Sequence, residues 1–389
     1  MTILKEQFIC QREGLTIKGM QFLPKAPASD KLPAIIISHG FTDNYFSMLP
    51  YCEDFAKEGY AAFCFNFCGG GSTEQDPATR SDGDSRDMTI STEVQDLKTV
   101  IAYVKSLPFV DVTDIILMGE SQGGFVSGIT AAECSDEISK LIMVYPALCI
   151  PDHARRGCLG GARYDISSVP EELVCERTII SRKFHEDVCQ MDPYLKLAAY
   201  KGPVQILHGY EDSLVDYSYS VRAQSCYESG QCHLQLIREM GHGHNEEQRS
   251  SITASVRQFL HNRQEIMSFR ILITHTEEWT EGTATRLNIY FTGYCESAGF
   301  KGTIIPEGID RQTYVNDVRT AMKAEYTLEG LDENRKLCRL HVINEWGGTD
   351  FKPVIQTDSK KLGWLNKADL TAVLEGAADG PTVRIFAKR

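Results

Sequence analysis

Six short apolar runs, separated by helical patterns and irregular segments, constrain this chain most. They are PAIIISHG (33–40), YAAFCFNF (60–67), DIILMGE (114–120), SKLIMVYPA (139–147), PVQILHGYE (203–211) and HLQLIREMG (233–241). Runs of Ile, Val, Leu and Phe without polar alternation are buried on both faces as strands, which requires a mostly parallel sheet covered by helices. Residues 46–58, 91–106 and 246–262 carry apolar positions at three-to-four spacing and predict helices. Ahead of the first run, QFICQREGLTIKGMQFL predicts an antiparallel hairpin at the sheet edge. The expected fold class is α/β, an open twisted sheet with helices on both faces.

Two departures from this rhythm set the domain organisation. Residues 148–200 carry charge, cysteine and turn residues where one crossover helix would suffice, and connections this long are usually lids or binding loops. After about residue 265 the helix signal fades. MSFRILITHTEE, TRLNIYFTGYCE, FKGTIIPEG, KAEYTLEG and LCRLHVINEW alternate in polarity and predict an antiparallel barrel or sandwich. The expected domains are therefore 1–265, with an insertion at 148–200, and 266–389.

A net charge of −13, with no basic run to override it, disfavours nucleic acid and anionic lipid as partners. The first residues, MTILKEQFICQREG, lack the pattern of a secretory signal, and no segment approaches the roughly 18 apolar residues of a membrane span. A cytoplasmic location is expected. The 13 cysteines are scattered with no CxxC pair, and read as reduced packing residues.

The chemistry enters at ILMGESQGGF (116–125), where an apolar strand runs into a helix through Gly119-Glu120-Ser121-Gln122-Gly123. This fits the G-x-S-x-G nucleophile elbow, in which the serine sits at the apex of a sharp, strained strand-to-helix turn. The helix amino terminus then faces the oxygen that becomes anionic during acyl transfer. A serine hydroxyl needs a base, and the base needs a group that fixes its tautomer. In chain order the acid should come before the histidine, each where a strand runs out. Asp212 is the expected acid, with Glu211 and Asp216 as rivals. His242 is the expected base, with His244 as its rival; a metal site at HGH lacks further ligands at useful spacing. The backbone amides of Phe41, in the loop after the first parallel strand, and of Gln122 are the expected oxyanion donors, with the His39 side chain structural. This chemistry requires no cofactor and no metal.

The first 265 residues resemble the bacterial feruloyl (cinnamoyl) esterases of the α/β-hydrolase superfamily. The resemblance is carried by IIISHGFTDN, FNFCGGGSTE, VTDIILMGESQGG, YPALCIPDHARRG, VPEEL, KGPVQILHGYEDSLVDY and MGHGH. It implies an α/β-hydrolase fold and a serine esterase acting on hydroxycinnamate esters such as methyl ferulate or chlorogenate. It also implies a lid at 148–200 that encloses the aromatic acyl group, with Asp152 and His153 as its polar contacts. From about 267 the tail, with GTIIPEGID, AEYTLEG and SKKLGWLNKADLTAVLEG, resembles a small bacterial β-barrel family of uncharacterised function. Such a barrel could mediate self-association into a homo-oligomer or line the substrate entrance, through Trp346 or Tyr326. The triad chemistry alone leaves open a peptidase or thioesterase, and a non-catalytic scaffold on a hydrolase core.

Overall fold

The computed structural model describes residues 2–27, 29–70, 76–348 and 351–388. The end of the FNFCGGGSTE stretch, residues 71–74, lies outside them. The chain forms two units, Met1–Gly243 and His244–Arg389. The division thus falls before the 246–262 helix and not at 265, because that helix packs on strands of the second unit.

The first unit opens with the hairpin of β1 (Ile3–Arg12) and β2 (Leu15–Pro24), turned at Glu13-Gly14, both at positive φ. Then come β3 (Leu32–Ser38), α1 (Leu49–Lys57), β4 (Ala61–Phe65), α2 (Ile90–Ser106), β5 (Val110–Glu120), α3 (Gln122–Glu133) and β6 (Lys140–Val144). The long connection after β6 holds α4 (Ile150–Arg155) and two short antiparallel pairs. These are β7 (Cys158–Leu159) with β8 (Ala162–Arg163) and β9 (Glu172–Val174) with β10 (Ile179–Ser181). The helices α5 (Arg182–Val188) and α6 (Pro193–Leu197) follow, then β11 (Val204–Gly209), α7 (Ser218–Gln224) and β12 (Cys232–Ile237).

All six apolar runs are strands of one sheet, in the order β1-β2-β4-β3-β5-β6-β11-β12. β4 through β12 are parallel, and the hairpin joins the edge antiparallel through β2. Ile35, Ile36 and Ile37 of β3 are all fully buried, as two covered faces demand. α2 starts where it does because Thr89 and Thr92 cap one another reciprocally, each hydroxyl accepting the other's amide. Leu159, Leu173, Ile180, Phe184 and Leu197 of the long connection belong to the same apolar core as the sheet. The loops after β3, β5, β11 and β12 leave from the carboxyl edge of the sheet, where open α/β folds gather their ligands.

The second unit starts with α8 (Glu246–Leu260), capped by Asn245 and Gln248, and continues as an antiparallel sheet. Its strands are β13 (Arg263–Glu281), β14 (Ala284–Ser297), β15 (Phe300–Ile304), β16 (Gly308–Val315), β17 (Val318–Asp332), β18 (Leu337–Trp346), β19 (Phe351–Thr357), β20 (Leu370–Glu375) and β21 (Thr382–Lys388). The ladder runs β13-β21-β20-β19-β18-β17-β15-β14-β16, and β13 pairs with β14 as well as with β21. Phe269, Leu328, Leu340, Val342, Ile355 and Ile385 form its core. Among the described residues, no helix is long and apolar enough to cross a membrane.

Candidate active site

Ser121 stands between β5 and α3 with φ 51° and ψ −118°, a conformation that L residues seldom adopt. Such strain costs about 1–3 kcal/mol and persists where the surroundings impose it. Here the neighbouring glycines permit the close packing that surrounds it. A Cβ on Gly119 would lie 2.2 Å from the Gly123 carbonyl oxygen, and one on Gly123 would lie 2.4 Å from the carbonyl oxygens of both Ser38 and His39. Strand, helix and the end of β3 therefore approach closely only without side chains at these positions.

The residues that the sequence set far apart meet through hydrogen bonds. Ser121 Oγ lies 3.0 Å from His242 Nε2, and His242 Nδ1 lies 2.8 Å from Asp212 Oδ2. The other carboxylate oxygen, Oδ1, accepts from the amides of Leu214 at 2.9 Å and Val215 at 2.8 Å. Asp212 is buried, whereas the rivals Glu211 and Asp216 are exposed, and Asp216 accepts from the Ser218 amide. Of the two histidines of HGH, His242 stands between the serine and the acid.

A further histidine, which the sequence reading did not single out, stands behind the acid. His208 at the end of β11 is fully buried, with Nδ1 2.7 Å from Ser220 Oγ. Its Nε2 is 2.9 Å from the Val215 carbonyl and 3.2 Å from Asp212 Oδ2. One tautomer satisfies all three contacts: Nδ1 accepts from the serine, and Nε2–H is shared between the carbonyl and the carboxylate. Burial pushes the Asp212 carboxyl upward in pKa, but the hydrogen bonds from His208, His242 and the Val215 amide outweigh it. The group is held well below the ordinary carboxylate range. Behind the base, the Tyr145 ring packs with its centroid 5.0 Å from that of His242.

The Gln122 amide is the first of α3 and has no acceptor within the helix. Its side chain is anchored, since Nε2 donates to both oxygens of the buried Glu93 at 2.9 and 2.8 Å. The loop after β3 passes close to the serine: a Cβ on Gly40 would lie 3.3 Å from that of Ser121. This brings the next residue, Phe41, onto the wall of the same cavity as Ser121 and Gln122. The buried His39 braces that loop, its Nδ1 2.8 Å from the Gly40 carbonyl while Nε2 accepts from the Phe67 amide. Burial lowers its pKa and favours the neutral ring that these contacts need.

The cavity beside Ser121 measures about 540 Å³ and is walled largely by apolar side chains, Leu159, Ile180, Phe184 and Leu214 among them. Cys149 also lines it, and burial pushes that thiol up to about 12. His153 is part of the wall, whereas Asp152 is not. The Asp152 carboxylate instead takes Arg155 Nη1 at 2.7 Å and the Tyr219 hydroxyl at 3.1 Å. Successive residues of a helix point about 100° apart, so α4 turns one of the pair toward the cavity and the other away. Among the described residues, no cluster of three or more His, Cys, Asp or Glu could hold a metal ion.

A covered parallel sheet with a strained serine between strand and helix, its partners arriving on later strands, is the α/β-hydrolase fold. Known proteins agree. A family model described as serine aminopeptidase, S33, matches residues 30–163. The solved structure of Est1E from Butyrivibrio proteoclasticus with ferulic acid bound is similar at 28% identity and a TM-score of 0.59, over 65% of this chain and 97% of that one. A second structure of Est1E gives 26% identity and a TM-score of 0.57 over the same shares. The quorum-quenching protein AidA of Acinetobacter baumannii (strain MDR-ZJ06) is 28% identical over 115 residues, which is 29% of this chain. That match spans 36% of the length of AidA.

Proposed function

We propose that the first unit is a serine carboxylesterase that hydrolyses hydroxycinnamate esters, methyl ferulate and chlorogenate among them. The observation that carries the reading is the unbroken path of hydrogen bonds from Asp212 through His242 to a strained Ser121 at the wall of an apolar cavity. The likeness to Est1E, which was solved with ferulic acid, supports the aromatic acyl class. Ser121 Oγ attacks the ester carbonyl as His242 Nε2 takes its proton, and Asp212 holds Nδ1–H and stabilises the imidazolium. The Phe41 and Gln122 amides receive the oxyanion. The alcohol leaves with the proton from His242, and a water activated by the same ring releases the acid. The 148–200 segment serves as a lid that encloses the ring of the acyl group, with His153 as its polar contact.

A peptidase reading is favoured by the name of the matching family model. An aminopeptidase must hold a substrate ammonium group with negative charge, and none of the described residues that wall the cavity is acidic. The second unit is read as a closed barrel, because β13, the first strand of the ladder, pairs with β21 beside it and also with β14, the next-to-last.

The test is turnover of methyl ferulate beside matched thioesters and aminoacyl anilides, with labelling by a fluorophosphonate probe. Ser121→Ala should abolish both ester turnover and labelling in a folded protein. Ester turnover surviving in that variant overturns the reading. Anilide turnover exceeding ester turnover transfers it to the peptidase, and a folded wild-type protein that neither turns over nor labels is a scaffold.

A further inference from the structure

The second unit contains a cavity of its own, of about 590 Å³, lined from seven of its strands. Most of its wall is hydrocarbon, with Ile271, Ile289, Phe291, Met322, Leu374 and Val383 facing inward. Four buried polar atoms on this wall have no hydrogen-bond partner: Asp310 Oδ1, Asn344 Oδ1, the Tyr326 hydroxyl and Arg319 Nε. Asp310, Tyr326 and Asn344 are 6%, 4% and 2% exposed. A buried polar atom left unpaired is unfavourable, and one such atom would pass without comment. Four on one wall form a pattern.

The register explains how they converge. Asp310 of β16 pairs with Ala324 of β17, and Ala324 pairs with Asn344 of β18. The two polar side chains therefore stand in one row across three strands, roughly 10 Å apart, with only a methyl group between them. The carboxylate is also pre-aimed. Tyr314 donates to Gln312 Oε1 at 2.5 Å, and Gln312 Nε2 donates to Asp310 Oδ2 at 2.6 Å, which fixes the group and leaves Oδ1 open. Tyr326 is wedged between Phe269 and Phe291, at centroid distances of 5.9 and 5.4 Å. Its cross-strand neighbourhood requires Gly308, where a Cβ would fall 2.4 Å from the Phe291 ring and 2.9 Å from Tyr326 Cβ.

We propose that this cavity is a binding site for a small, uncharged, largely hydrocarbon molecule carrying a hydroxyl group, of which a phenol is the simplest aromatic form. A ligand hydroxyl above Ala324 donates to Asp310 Oδ1 or Asn344 Oδ1 and accepts from the Tyr326 hydroxyl, so one group answers both kinds of demand. The acid and the arginine of the wall offset each other, which leaves no net charge to recruit an ion. Arg319 is itself engaged, its guanidinium 4.7 Å from the centre of the Trp346 ring. Water alone is a poor filling, because most molecules in a space many times the roughly 30 Å³ of one water would face hydrocarbon. This site stands apart from the esterase reading and does not depend on it.

The test titrates the full chain with p-cresol, and with toluene, its counterpart without the hydroxyl. All three tryptophans, Trp279, Trp346 and Trp364, belong to the second unit, so their fluorescence reports there. The expected result is a saturable change with p-cresol and binding of toluene at least about tenfold weaker, because the analogue without the hydroxyl leaves the buried polar groups unpaired. Ala324→Phe fills the gap in the row and should abolish the p-cresol signal without altering ester turnover. Asn344→Leu keeps the side-chain volume and should narrow the difference between the two probes. Should Ala324→Phe fail to fold by circular dichroism, Asn344→Leu decides. Absence of saturable binding, equal affinity for the two probes, or unchanged p-cresol binding in a folded variant overturns the proposal.

Discussion

Replacing Asp212 by Asn tests the candidate site with the smallest change of shape. Oδ1 of Asp212 accepts two backbone amides, those of Leu214 and Val215, while Oδ2 accepts His242 Nδ1–H. In an asparagine the single oxygen must stay with the two amide donors, because rotating it away would set NH2 against two N–H groups. The new NH2 then faces His242 Nδ1, which must become an acceptor, and the ring proton moves to Nε2. An Nε2–H directed at Ser121 Oγ cannot take the serine's proton. His208 Nε2 lies 3.2 Å from the same position and its N–H would meet a donor there, a cost limited because that N–H keeps the Val215 carbonyl as acceptor, against two amide donors on the other side. The expected loss in kcat is ~10⁴-fold, about 5 kcal/mol of transition-state stabilisation, as in triads trapped in the wrong tautomer. Steady-state hydrolysis of methyl ferulate measures it, with KM little changed and fluorophosphonate labelling slowed in parallel. Glu211→Gln and Asp216→Asn should retain wild-type kcat. A folded Asp212→Asn protein whose kcat falls less than about tenfold would refute the tautomer argument.

Asp212 titrates in the folded state below its unfolded value, so its ionised form stabilises the first unit above about pH 4 and that contribution is lost as pH falls further. Thermal melts below that pH should be flatter with pH for Asp212→Asn than for the parent. Gly123→Ala places a methyl group 2.4 Å from two backbone oxygens that cannot yield, and should destabilise the first unit by about 3 kcal/mol or more, read as a lowered unfolding midpoint. Leu159→Trp, which bulks the cavity wall, should lower kcat/KM for methyl ferulate by about tenfold or more while hydrolysis of p-nitrophenyl acetate is nearly unchanged.

The parallel sheet was legible because two-sided burial writes an unbroken apolar run, and each of the six runs supplies one of its strands. The elbow was legible because its close approaches exclude side chains, and only glycine satisfies them. The second unit was half legible. GIDRQTYV of β16 buries Asp310 and Gln312, and FKPVIQT of β19 buries Pro353 while exposing Val354, so no clean hydrophobic alternation marks either strand. His208 was hidden for another reason. It sits inside an ordinary apolar strand, and its approach to Asp212 depends on the chain doubling back within four residues. Of Asp152 and His153 only the second lines the cavity, since a resemblance aligns neighbours that a helix then turns apart.

Cys149 shares a wall with Ser121, and sulfur is the better nucleophile of the two once it has lost its proton. Burial pushes its pKa up to about 12, which withholds that proton loss at physiological pH. In the proposed reaction an acyl group entering the chamber would thus meet one competent attacker, and mild alkylating agents or oxidants should leave this thiol silent. Selectivity between two adjacent heteroatoms is here a matter of solvation, imposed by the same oily lining that would receive the guest.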